Sequence, residues 1–168
     1  VDQPFVISAL CNSQIGHYFA KLCYASKEGG FIDFEPRYSS SFPIAKHTPE
    51  QARPIDNLAR FLSYFANNEP GTSHPRDPLM RDYYETILNA LIYELYLPSE
   101  LHAAGLHFFD LVKSAEIPNV SILPKTDTNR LVRLREHFEE IYAPSHPLRA
   151  ALQKLRTLDP VRVIEGKS

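Results

Sequence analysis

Seven histidines, 20 acidic side chains and two cysteines are the groups from which a metal or catalytic site would be built in this 168-residue chain. His102 and His107 lie five apart in the segment ELHAAGLHFFDLVKSA. On one continuous helix that spacing sends them to different sides, whereas helical ligand pairs sit at i and i+4. They read as surface or half-buried histidines. Asp159, Glu165 and Lys167 in DPVRVIEGK offer the carboxylates and amine with which a metal-dependent nuclease would hold Mg²⁺ beside a phosphate, but no strand pattern flanks them. Glu139 and Glu140 are adjacent, so on a helix they diverge by about 100° and cannot act as a catalytic pair. Tyr18, Tyr24, Tyr93 and Tyr96 have the rings to stack on bases, yet their helical spacing points to core and core rim.

Nucleotide chemistry finds no support in the motifs. The chain has no Gly-rich loop for S-adenosylmethionine and no Asn-Pro-Pro-Tyr-type motif to hold a flipped adenine. It also lacks GxxxxGK[ST] and GxGxxG. A net charge of −2 supplies no global attraction for nucleic acid, so any DNA contact must come from a local basic face. Cys11 and Cys23 are twelve residues apart on one expected helix, too far to bridge at about 1.5 Å rise per residue, which fits a reducing, cytoplasmic setting. No run approaches the roughly 18 apolar residues of a membrane span, so no membrane partner is expected. The chain opens on Val1, with no charged n-region or cleavage site of a signal peptide, and is expected to be part of a longer polypeptide.

Positioning these residues falls to a mainly α fold, with a short extended β element between the first two helices and α+β as the alternative. Phe5, Ile7, Leu10, Ile15, Tyr18, Phe19 and Leu22 recur at three- and four-residue intervals and predict one helix from Pro4 to Tyr24. Gly29 and Gly30 stop it, and the alternation in FIDFEP predicts a short strand before Pro36. Residues 39–54 form a loop in which Phe42 to Ile44 run extended against the core. A second helix starts near Thr48 with Pro49 in its first turn, and Pro54 is expected to split off that turn. Asn67 to Pro78 reads as a surface loop. A broad apolar stripe then predicts a core helix from Met80 to Tyr96. Ser99 is the expected N-cap of the next helix, followed after IPNVSILP by helices near Asp127 to Tyr142 and Pro147 to Leu158.

The order of these elements carries more information than any one motif. The run FVISALCNSQIGHYFAKLCYASKEGGFIDFEPRYSSSFPIAK resembles a segment of the specificity regions of type IIG restriction-modification enzymes and related adenine-specific DNA methyltransferases. In that family a helix of the form ALLNSKL…FY leads to a Gly-containing turn, an F.F.P.Y strand and an IPIP-like exit. The matching residues are Ala9 to Ile15, then Gly29 and Gly30, then Phe34, Pro36 and Tyr38, then Phe42 to Ile44. Downstream, Leu88 to Leu97 in LNALIYELYL, with Ser99 and Glu100, resemble the family's closing IDALVYELYGLTEEE. Asn89 stands where Asp is usual, and FPIAK replaces IPIP. Residues after Ile117 carry no resemblance.

The resemblance implies a second part of a target-recognition region over residues 1–116 and a helical C-terminal extension over 117–168. It implies a DNA-recognition fragment, non-catalytic by itself, of a methyltransferase or restriction-modification enzyme. Its partners would be double-stranded DNA and the methyltransferase domain of the same polypeptide. No cofactor is expected in the fragment itself; the parent enzyme would use S-adenosylmethionine, with Mg²⁺ if it also cuts. Lys27, Arg37 and Lys46 bracket the Gly29–Gly30 turn and form the expected basic edge for phosphates, with Tyr38 and Ser39, and the hydroxyls of Ser40 and Ser41, close by. The glycines would supply backbone geometry. A different class of reading keeps the same helices as a protein-protein module that docks on the catalytic domain without touching DNA, and a third is the nuclease set at the C-terminus.

Overall fold

The computed structural model describes residues 4–23, 40–68, 74–123 and 127–167. Among them the chain forms α1 (Pro4–Asn12), α2 (Gln14–Cys23), α3 (Pro49–Asn68), α4 (Asp77–Tyr96), α5 (Pro98–Ala103), α6 (Phe108–Ser114), α7 (Asp127–Ile141), α8 (Pro147–Leu155) and α9 (Asp159–Ile164). No strand occurs among these residues, and the fold is mainly α. The expected strand at FIDFEP and the Gly29–Gly30 turn lie outside the described residues.

Helix α4 is the centre. From Ile87 to Glu94 every residue except Asn89 is buried, and α2, α3, α5, α6, α7 and α8 all pack on it. A helix that is apolar nearly all round is stable only when it is surrounded, and each fully buried Ile or Leu contributes about 1.5–3 kcal/mol. One hydrophobic cluster runs from Val6 and Leu10 on α1, through Phe61 on α3 and Tyr84 and Leu91 on α4, to Phe138, Leu148 and Val161 on α7, α8 and α9.

The single helix expected over Pro4 to Tyr24 is broken at Ser13. The buried Ser13 hydroxyl donates to the Leu10 carbonyl at 2.8 Å and accepts from the Gly16 N–H at 3.1 Å, so it ends α1 and caps α2. Helix α2 then folds back so closely that a Cβ on Gly16 would lie 2.3 Å from the Cys11 carbonyl oxygen. Only glycine fits there.

Helix α3 begins with a capping box. The Thr48 N–H donates to Gln51 Oε1 at 2.9 Å, and the Gln51 N–H donates back to Thr48 Oγ1 at 3.3 Å, which satisfies two of the orphan donors of the first turn. Pro54 does not split the helix as expected: it sits inside α3, where neighbouring turns with buried Ala52, Ile55 and Leu58 hold the backbone in place.

The helix expected after Ser99 also differs. Its N-cap is Leu97, with Pro98 at the first helical position and Ser99 inside the turn. It ends at Ala103 because Gly105, at φ +70°, closes a Schellman turn: Gly105 N–H donates to His102 O at 2.9 Å and Leu106 N–H to Leu101 O at 2.9 Å. The chain restarts as α6, at a new angle.

Polar groups on α4 reach outward to fix the periphery. At its N-terminus Asp77 takes a two-pronged contact from Arg135 on α7, Nε at 2.8 Å and Nη2 at 2.7 Å, and also accepts the His74 N–H at 2.9 Å. Burial pushes the Asp77 carboxyl up, but these donors outweigh it and hold the group below its ordinary value. Tyr84, fully buried, donates to His137 Nδ1 at 2.7 Å, and His137 Nε2–H donates to the Ala115 carbonyl at 2.7 Å. That relay uses neutral histidine, and burial lowers the His137 pKa accordingly. Tyr83 donates to the Ile141 carbonyl at 3.0 Å, and burial pushes its phenol up to about 12. No buried side-chain N or O among the described residues lacks a partner.

Two outcomes follow. Asp77→Ala removes the partner of a half-buried guanidinium and lowers the unfolding free energy by about 2–3 kcal/mol, read as a lower urea midpoint at unchanged slope. Because folded His137 resists the proton that the unfolded chain accepts below about pH 6.5, stability falls as pH drops through that region. His137→Gln flattens this limb of the pH dependence of the melting midpoint; an unchanged limb assigns it to other groups.

Candidate functional site

The start of α2 and the LNALIYELYL stretch of α4 meet directly. Asn89, on the one less buried position in the middle of α4, accepts the Gln14 N–H at the start of α2 through Oδ1 at 2.9 Å and donates through Nδ2 to the Glu85 carbonyl at 3.1 Å. The amide oxygen thus serves as a second cap for α2, supplied from 75 residues away. An Asp at this position could accept the same Gln14 bond but, ionised, could not donate to the Glu85 carbonyl.

At the C-terminal end of the same helix, Tyr96 holds the segment entering α3. Its hydroxyl donates to the Pro43 carbonyl at 2.7 Å and accepts from the Ala45 N–H at 3.4 Å, and burial raises its pKa. Phe42 packs edge-on against Phe19 of α2, ring centroids 5.1 Å apart. Residues 42–48 form neither helix nor strand, and Phe42 is tucked against the core as its sequence suggests. Of the expected DNA-contacting set, Lys27, Gly29, Gly30, Arg37, Tyr38 and Ser39 lie outside the described residues. Lys46 is exposed on the extended segment immediately beyond the Tyr96 anchor, with Ser40 and Ser41 exposed before it.

Of the tyrosines weighed as base-stacking groups, Tyr93 and Tyr96 have structural partners, and Tyr24 lies outside the described residues. Tyr93 is buried and donates to Glu165 Oε1 at 3.3 Å, and burial followed by the Glu165 charge raises its pKa. Glu165 also pairs with Lys167 at 2.6 Å, whereas Asp159 faces solvent and pairs with Arg162 at 3.9 Å. Of the C-terminal acidic-plus-lysine set, only Glu165 therefore reaches α4. Glu139 pairs with Arg76 at 2.6 Å on the surface, and Glu140 is exposed.

Sequence reasoning missed one cluster. Glu94, buried on α4, lies against both His102 of α5 and His107 just before α6, with the ligand atoms of all three within 4.8 Å of one another. His102 Nε2 is 2.9 Å from Glu94 Oε1, and Glu94 Oε2 accepts the Phe109 N–H at 3.0 Å. The two imidazoles stack, centroids 4.5 Å apart and 22° between planes. The Schellman turn at Gly105 brings them together, because it cancels the continuous-helix geometry that would have separated them. The signal was the AAGL sequence, an apolar helix end followed by Gly and Leu.

A cleft of about 500 Å³ between α3 and α6 is lined by Pro54, Asn57, Phe109, Val112 and Ile117 among others. Asn57 there is engaged, donating to the Pro118 carbonyl at 3.0 Å and accepting the Val120 N–H at 3.1 Å. No helix among the described residues is long and apolar enough to cross a membrane.

Compared with known protein families, with curated proteins and with solved structures, the chain shows no significant match in any of the three.

Asn89→Asp retains the acceptor for Gln14 and shifts stability by less than about 0.5 kcal/mol, whereas Asn89→Leu leaves the α2 N-terminus without it and costs about 1–2 kcal/mol. Chemical denaturation of the two variants checks this; equal losses would show that the bond to Gln14 contributes nothing.

Proposed function

We propose that this chain is a DNA target-recognition module of a larger adenine-specific DNA methyltransferase or restriction-modification enzyme, non-catalytic by itself. The observation that supports it best is the junction of the two resembling blocks. Asn89 binds the start of α2, and Tyr96 binds Pro43 and Ala45. Two stretches that flank the expected basic residues are thereby tied to the buried central helix α4. A basic arm mounted on a rigid base can place its cations at a fixed register along a phosphate backbone, which positions a protein without reading sequence. Lys46 is exposed beside the Tyr96 anchor, and Lys27 and Arg37, outside the described residues, are the further cations the reading calls on.

S-adenosylmethionine chemistry and base flipping would belong to the methyltransferase domain of the same polypeptide, since no residue set in this chain offers either. The module would present duplex DNA to that domain. The competing reading, docking on the catalytic domain with no DNA contact, draws on Ile7, Leu22 and Ile44, which expose 42%, 66% and 45% of their surface within the same blocks.

Reversing Lys27, Arg37 and Lys46 to Glu in the full polypeptide separates the two. Under the DNA reading, affinity for duplex DNA falls and the slope of log K against log salt becomes shallower by about three, while far-UV circular dichroism is unchanged. Wild-type affinity and slope in a folded variant would overturn it in favour of docking.

A further inference from the structure

We infer that Glu94, His102 and His107 form a binding site for a divalent cation of the Zn²⁺ class, with the fourth position taken by water. The donor set is two imidazole nitrogens and one carboxylate oxygen, the mixture that suits Zn²⁺ and its neighbours Co²⁺ and Ni²⁺ rather than the all-oxygen preference of Mg²⁺ or Ca²⁺. Their ligand atoms already lie within 4.8 Å of one another. Tetrahedral coordination at bonds of about 2.0–2.1 Å requires ligand atoms about 3.4 Å apart, so closure takes roughly an ångström of side-chain rotation. Both histidines are exposed, and the rotation would trade their stacked contact for coordination. Glu94 supplies the fixed point: it is 8% exposed, and its second oxygen is held by the Phe109 N–H at 3.0 Å, the kind of outer hydrogen bond that orients a metal-binding carboxylate. The cation would take the place of the proton between His102 Nε2 and Glu94 Oε1. It would also staple α4 to the Gly105 turn and the start of α6. This site is independent of the DNA reading.

The test is titration of the full chain with Co²⁺, followed by displacement with Zn²⁺. The site predicts one equivalent of Co²⁺ with tetrahedral ligand-field bands, no thiolate charge-transfer band, and a Zn²⁺ Kd of about 1 µM or tighter. His102→Ala and His107→Ala, both at exposed positions, abolish the bands; Glu94→Gln, which keeps an acceptor for Phe109, weakens binding more than about 10-fold; His47→Ala leaves it unchanged. Zn²⁺ raises the melting midpoint of the wild type and not of the histidine variants. Bands that survive His102→Ala at wild-type affinity, a thiolate band assigning the metal to Cys11 or Cys23, or no binding at micromolar metal would each overturn the proposal.

Discussion

A helix buried on nearly every side cannot leave a polar group unpartnered, and α4 carries several. Asp77, Tyr84, Asn89, Tyr93, Glu94 and Tyr96 all belong to it, and an unsatisfied polar group in such a place costs about 1–3 kcal/mol. Between them they reach five parts of the fold. Asp77 and Tyr84 set α7, Asn89 sets α2, Tyr93 sets the end of α9, Glu94 sets α6, and Tyr96 sets the segment before α3. Hydrophobic burial makes the bundle stable, but it is non-directional. These polar bonds give each surrounding helix its register.

That arrangement also joins two stretches that are far apart in the chain. The N-terminal block and the LNALIYELYL block are far apart in sequence, and the side chains that join them, Asn89 and Tyr96, lie within the second block itself. The two stretches form one packing unit around α4. The Glu94, His102 and His107 group grows from the same helix by the same logic: Glu94 is the buried carboxylate that two surface histidines and a backbone amide converge upon.

Much of this was legible in the residues. Apolar periodicity located α3, α4, α7 and α8, and Thr48 with Pro49 marked a helix start that the fold realises as a capping box closed by Gln51. Two departures share one cause: the apolar periodicity runs on through a residue that ends a helix. Ser13 interrupts the run from Phe5 to Leu22 without disturbing its spacing, and α2 turns back onto α1 and α4 with Ala20 buried and Leu22 exposed. Gly105 does the same between Leu101 and Phe108. Missing that second break had a larger consequence, because the relation of His102 to His107 depends on whether one helix or two separates them. Pro54 erred in the other direction: the burial of Ala52, Ile55 and Leu58 around it outweighs the lost hydrogen bond. The partnership of Asn89 with Gln14 was not legible at all, for it depends on tertiary packing across 75 residues.

The central claim is that α4 and its polar bonds make the two resembling blocks one unit. Native-state hydrogen exchange tests it most directly. Amides of Leu88 to Leu97 and of Ala9 to Gly16 should exchange through the same opening, with the same free energy and the same denaturant slope as global unfolding. Exchange of Ala9 to Gly16 through a separate, low-energy opening while α4 stays protected would contradict it, leaving the N-terminal block an appendage and removing the fixed base on which the recognition reading stands.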